Sequence, residues 1–314
     1  MESSIRYLVK VVAAWVLHHR SALKTPLIVF NLNLLKPYID FAVTTLRRSV
    51  GKVLVIRKPT TKDVEEFVEK LVKAHGRSKA DRMKLRLLAA ELLRLIKPSI
   101  SYRDLYELTN IPESVLCRYV KGSVIPSFEH ATTILAKIGL SLDLGHLLRE
   151  LVERERSPVI DLLRVLKDPY VSRLLSIMIF LELADKKITK IVATAEAVIP
   201  IATMLSVEFT APIVLVKRNK SYPGIQYYSI TVMRGPREVE TLYLDKDLVT
   251  RKDRVLVISD VVYTGRTLEA VLRMLSKAKA EIVDVFVIMG LGTAWRERLE
   301  PYNVKVLTIV PFEL

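Results

Sequence analysis

The spacing of apolar positions changes along the chain, and the changes divide it into three stretches. Up to about residue 77 the pattern is mixed. Ile5–Leu17 is apolar at helical spacing, Leu27–Phe30 and Val53–Ile56 are short strand-like runs, and Asp63–Ala74 repeats as an amphipathic helix. From about 78 to 156 every periodic run is helical. The first, Arg82–Leu95, stops before Lys97-Pro98, because the residue ahead of a proline avoids the helical region. Tyr102–Leu108, Pro112–Val120, Ser127–Ile138 and Leu142–Val152 follow. Ser101, with Asp104 three residues on, reads as an acidic capping box, and Pro112 suits a first helical turn. The charged run Glu153–Pro158 reads as a linker. Beyond it the spacing alternates between strand and helix. Ile188–Ala193, Ile213–Val216, Val255–Ser259, Ile282–Ile288 and Val304–Ile309 read as buried strands, and Pro200–Ser206 and Thr267–Lys277 as helices. Gln226–Met233 and Glu238–Leu244 read as a hairpin turning at Arg234-Gly235-Pro236. The predicted class is α/β: a small α/β module at 1–77, a helical domain at 78–156, and a C-terminal domain at 157–314 with a mostly parallel sheet.

Composition narrows the function classes. Half of the 314 residues are apolar and about a quarter are charged, which excludes general disorder. A single cysteine, Cys117, excludes a disulfide framework and Cys-rich metal sites. His18, His19, His75, His130 and His146 have no metal-ligand spacing, so no metal site is expected. Val11–Leu17 and Ile177–Leu181 are too short to span a bilayer, and no small-residue cleavage site precedes His18-His19-Arg20. The expectation is a cytoplasmic protein with no membrane partner. The net charge is +15, of which +10 falls in residues 1–155. That excess suits a polyanion partner. It equally suits a heat-adapted surface, since Gln226 is the only glutamine and asparagines number five.

Motifs separate these readings. Ser101-Tyr102-Arg103-Asp104-Leu105-Tyr106-Glu107-Leu108-Thr109 is followed by Asn110-Ile111, then by Pro112 to Gly122, then by Ile125-Pro126-Ser127. This stretch resembles the helix-turn-helix of phage-repressor-like DNA-binding domains. Leu105, Leu108, Ile111, Val115 and Leu116 can form the seam between its helices, and Gly122 can end the second. The resemblance implies double-stranded DNA as partner. It places Ser101 and Tyr102 on the backbone, and Pro112, Glu113, Ser114, Arg118, Tyr119 and Lys121 toward the groove.

Val255 to Leu268 reads Val-Leu-Val-Ile-Ser-Asp-Val-Val-Tyr-Thr-Gly-Arg-Thr-Leu. It resembles the phosphoribosyl-pyrophosphate signature of type I phosphoribosyltransferases. A buried strand delivers Asp260, and Tyr263, Thr264, Gly265, Arg266, Thr267 and Leu268 turn into a helix whose N-terminal N–H groups can hold a 5′-phosphate. By the same resemblance, Glu196 and Ala197 fall in the pyrophosphate loop, and Lys217 and Arg218 where basic residues meet the diphosphate. Two departures bear on activity. Ser259 replaces the first acid of the usual pair, leaving Asp260 as the one catalytic candidate, and no glycine occurs between Gly145 and Gly224. One carboxylate fewer weakens stabilisation of a cationic ribose, and a loop without glycine is poorly suited to wrapping a diphosphate.

The two resemblances together resemble archaeal regulators that fuse such modules. The expected function is a homodimeric transcriptional regulator that senses phosphoribosyl pyrophosphate or a nucleoside monophosphate, with weak or lost catalysis. It needs no cofactor beyond magnesium accompanying phosphoribosyl pyrophosphate. The alternative is an active purine or orotate phosphoribosyltransferase with a helical appendage.

Overall fold

A local device repeated three times starts the helical part. Thr60, Ser78 and Ser101 each accept from the backbone N–H three residues on, while Asp63, Asp81 and Asp104 accept from the cap's own N–H. These reciprocal caps begin α1 (Thr61–His75), α2 (Lys79–Ile96) and α3 (Tyr102–Thr109). The residues described by this computed structural model are 58–154, 162–235 and 238–310. The runs expected at 5–17, 27–30 and 53–56, most of the linker and the tip of the hairpin lie outside them.

Helix α3 ends on Asn110 in the left-handed region, at φ 59°, and α4 (Glu113–Lys121) ends on Gly122 at φ 75°. Pro112 is the N-cap of α4 and not part of its first turn as the sequence suggested. Its fixed φ suits both positions, and the side chain caps nothing. Helices α5 (Phe128–Ser141), α6 (Leu144–Arg154), α7 (Leu162–Leu166) and α8 (Pro169–Glu182) follow. Helix α8 is absent from the sequence expectation. It is buried nearly all round, so it carries no apolar stripe to read.

The α/β part contains β1 (Lys190–Ala193), α9 (Ile199–Phe209), β2 (Ile213–Leu215), β3 (Tyr227–Gly235), β4 (Glu238–Asp245), β5 (Arg254–Val262), α10 (Arg266–Lys277), β6 (Glu281–Leu291), α11 (Arg296–Leu299) and β7 (Val304–Val310). Five strands form a parallel sheet in the order β2-β1-β5-β6-β7, and β3 and β4 form a separate antiparallel pair. Successive side chains of a strand point to opposite faces. Leu256, Ile258, Phe286 and Ile288 accordingly pack toward the helices of the N-terminal part, α8 and α9. Val255, Val257, Val285 and Val287 pack toward α10. The first of these cores runs without a break from Leu71 through α2 to α8 and onto the sheet.

Two features fasten this arrangement. Gly145 of α6 lies against the edge strand β7, where a Cβ would stand 2.5 Å from the Leu307 carbonyl oxygen. On α8, Arg173 donates to Glu91 of α2 at 2.7 Å and pairs with Glu208 of α9 at 2.8 Å. Lys84 of α2 adds a second cation 3.1 Å from Glu208. Burial alone would depress the Arg173 guanidinium, but the two carboxylates outweigh it and push its pKa up. The buried Glu208 is thereby compensated from two other helices.

Candidate functional site

In the strand order β2-β1-β5-β6-β7 the chain steps to one side after β1 and to the other after β5. A parallel sheet opens a crevice at such a switch point, outside the C-terminal ends of its strands. A cavity of about 440 Å³ lies there, lined by Thr194 beyond β1, Arg218, Met233 and Arg234, and residues 259–268 beyond the core of β5.

The β5 loop passes through a left-handed glycine that opens a helix beside the cavity. Gly265 is the N-cap of α10, at φ 76°, and no side chain caps that helix. Its first N–H groups therefore have no side-chain partner, and the helix dipole adds partial positive charge at the same end. A Cβ on Gly265 would stand 3.1 Å from Leu299 Cγ and 3.3 Å from Arg298 Cδ, so close packing adds to the preference for glycine that the positive φ sets. Three guanidinium groups border the cavity. Arg266 donates to the Met233 carbonyl at 3.1 Å, drawing the hairpin against the loop. Arg218 and Arg234 share the carboxylate of Glu240, at 2.7 and 2.9 Å. Asp260 is the cavity's own carboxylate.

The β1 loop is built differently. Thr194 N–H donates to the Ile258 carbonyl at 3.0 Å, and the Thr194 and Ser259 hydroxyls meet at 2.8 Å. Ala195 is extended, and Glu196–Val198 form a tight 3₁₀ turn closed by Val198 N–H on the Ala195 carbonyl at 3.4 Å. None of these residues has positive φ. Ser259, standing where the first acid was expected, is buried and tied to this loop.

The expected ligand residues Asp260, Tyr263, Thr264, Gly265, Arg266, Thr267 and Arg218 thus surround one cavity. Glu196, Ala197 and Lys217 do not line it. The Lys217 ammonium donates to Ser221 at 2.5 Å, and Glu196 is exposed on its turn. Leu268 borders the same cavity, though it is 2% exposed and packs mainly in the core under α10. Sequence reasoning missed Arg234 and Met233, which the hairpin delivers; a lone arginine at a turn was the available signal.

In the helical part, Leu105, Leu108, Ile111 and Leu116 are buried between α3 and α4 as expected. Pro112, Glu113, Ser114, Arg118 and Lys121 are exposed. Tyr119 is corrected: it is 5% exposed, with its hydroxyl 2.8 Å from His130 Nδ1. Ser101 is occupied in its capping box with Asp104. Lys97 stacks 4.4 Å over the ring of Tyr102, and burial together with a hydrogen bond to Cys117 raises the Tyr102 phenol to about 12.

Among the described residues no cluster of three metal-ligating side chains occurs. The Asp260 carboxylate is an oxygen donor of the kind that would help to hold a magnesium ion. Among the described residues no helix is long and apolar enough to cross a membrane.

A family model described as "Phosphoribosyl transferase domain" matches residues 170–312. The hypoxanthine/guanine phosphoribosyltransferase of Methanothermococcus okinawensis is 33% identical over 141 residues, which cover 43% of this chain and 71% of that one. The chain belongs to the phosphoribosyltransferase family. The protein of the same name from Methanothrix soehngenii is 33% identical over 132 residues, 42% of this chain and 68% of that one. Among solved structures, the adenine phosphoribosyltransferase of Rhodothermus marinus is 26% identical with a TM-score of 0.43, covering 49% of this chain and 88% of that one. The phosphoribosyltransferase match begins inside α8, and the helices before it lie outside the match. The expectation of lost catalysis finds no support in these relatives, whose names are those of transferases.

Proposed function

We propose that the cavity beyond β1 and β5 binds a phosphoribosyl compound and transfers its phosphoribosyl group to a 6-oxopurine such as hypoxanthine or guanine. The observation that carries this reading is the uncapped, left-handed Gly265 loop beside Asp260. The names of the relatives give the class of base. The N–H groups of α10 with the Thr264 and Thr267 hydroxyls hold the 5′-phosphate. Asp260 places negative charge where the ribose becomes cationic as its bond to diphosphate breaks. Arg218 and Arg234 exchange Glu240 for the departing diphosphate. Asp260 would help to hold magnesium brought with phosphoribosyl pyrophosphate, which would offset part of the leaving group's charge.

Incubating the full chain with phosphoribosyl pyrophosphate, magnesium and each base should yield the nucleoside monophosphate and pyrophosphate in equal amounts. No product with either base would overturn the transfer reading.

A second reading makes the same cavity a sensor attached to a DNA-binding domain at 78–156, in a homodimer. It is favoured by the α3–turn–α4 unit with exposed Ser114, Arg118 and Lys121. Two such units about 34 Å apart would meet successive major grooves. Under this reading Arg118→Ala weakens binding to promoter DNA, while Thr264→Ala removes only its response to phosphoribosyl pyrophosphate. Absence of sequence-selective DNA binding with and without ligand would overturn it.

A further inference from the structure

We propose that Arg298 is a positioning residue that sets the orientation of the phosphate-binding loop; the proposal rests on reading the Gly265 loop as a 5′-phosphate site. Arg298 lies on α11, beyond β6 and 34 residues from the loop it serves. Its Nε donates to the Thr264 carbonyl at 3.1 Å, and its Nη1 donates to Glu269 Oε2 at 2.8 Å. One guanidinium therefore spans Gly265, holding the backbone just before it and a side chain on the first turns of α10 just after it.

The peptide plane makes this a directional device. In a trans peptide the carbonyl and the following N–H point opposite ways. Tying the Thr264 carbonyl to α11 turns the Gly265 N–H to the other side of the loop. Arg298 Cδ and Leu299 Cγ fill the space on the Cβ side of Gly265, at 3.3 and 3.1 Å. Arg298 and Leu299 do not line the cavity, whereas Thr264 and Gly265 do. Arg298 therefore acts through the loop.

Charge is handled separately. Glu269 accepts from Arg298 and, at 2.7 Å, from Arg273. The Arg298 hydrogen bond is the main cause that holds its carboxyl below the usual glutamate range, so the brace is ionised at neutral pH. With its own carboxylate in contact, Arg298 contributes geometry more than field. A lysine keeps the charge but cannot present two fixed donors to Thr264 and Glu269 at once.

The test is calorimetric titration of the full chain with ribose 5-phosphate. Arg298→Ala should weaken affinity about tenfold, the scale of one well-placed charged hydrogen bond. Arg298→Lys should lose most of the same factor, and millimolar guanidinium should restore affinity to Arg298→Ala while leaving the wild type unchanged. Thermal unfolding of each variant separates a folding defect from loop disorder, since guanidinium rescue of affinity has no structural counterpart there. Wild-type affinity in Arg298→Lys, or affinity within twofold of wild type in Arg298→Ala, would overturn the proposal. A wild-type chain that does not bind ribose 5-phosphate would overturn the site reading beneath it, and the proposal with it.

Discussion

The loops after β1 and β5 leave neighbouring strands at the same end of the sheet, yet they treat their backbone N–H groups in opposite ways. The β5 loop passes through a left-handed glycine and starts a twelve-residue helix that no side chain caps. Its polar groups are presented outward. The β1 loop spends Thr194 N–H on Ile258 and Val198 N–H on Ala195, and then enters α9, which Glu208 locks to α2 and α8. Two of its backbone N–H groups are consumed at home. On the proposed reading, one half of the crevice holds an anion through backbone N–H groups, and the other through the side chains of Arg218 and Arg234, which pair with Glu240. A shared fold does not oblige both halves of a ligand to be held by the same means.

Several substitutions sharpen that contrast. The largest effect is expected at Arg173→Met, which strips one cation from buried Glu208 and should cost about 3 kcal/mol of stability in chemical denaturation. Ribose 5-phosphate affinity at the β5 loop should nevertheless stay within twofold; a parallel loss of affinity would show that the two loops are not independent. Next comes Gly265→Val. Backbone strain of ~1–3 kcal/mol, added to the contact with Leu299, should lower ribose 5-phosphate affinity by up to about 100-fold. Acid should act more mildly. Glu269 has a lowered folded pKa, so its contribution to stability is complete above the unfolded value and is lost as pH falls through the folded one. Stability of Glu269→Gln should therefore converge on wild type only below about pH 4 in an unfolding series. The smallest effect is expected at Ala195→Gly. If the β1 loop were limited by missing glycine, pyrophosphate affinity would rise sharply. Because Thr194 and Val198 N–H are already bonded and no residue of the loop has positive φ, the change should stay below about twofold.

How much of this was legible in the chain depends on how local each feature is. Strand, acid and Thr-Gly-x-Thr are contiguous, so the strand–turn–helix of the β5 loop and the place of Gly265 in it could be read directly. The parallel sheet followed from alternation of element types. Tyr119 was misassigned although its spacing carried the answer: it sits three residues after buried Leu116, on the same face of α4. Arg234 and Arg298 were not legible, because each reaches the site through tertiary structure, one by a hairpin folding back and the other from beyond β6. Helix α8 escaped because a helix buried on all sides has no polar face to define its period.

The most direct measurement of the account's central claim is a pair of calorimetric titrations on the wild-type chain and on Gly265→Val, one with ribose 5-phosphate and one with inorganic pyrophosphate. The account predicts that ribose 5-phosphate binds the wild type at least tenfold more tightly than pyrophosphate does, and that Gly265→Val loses the former while barely changing the latter. Equal affinity for the two ligands, or ribose 5-phosphate binding that survives Gly265→Val, would contradict it.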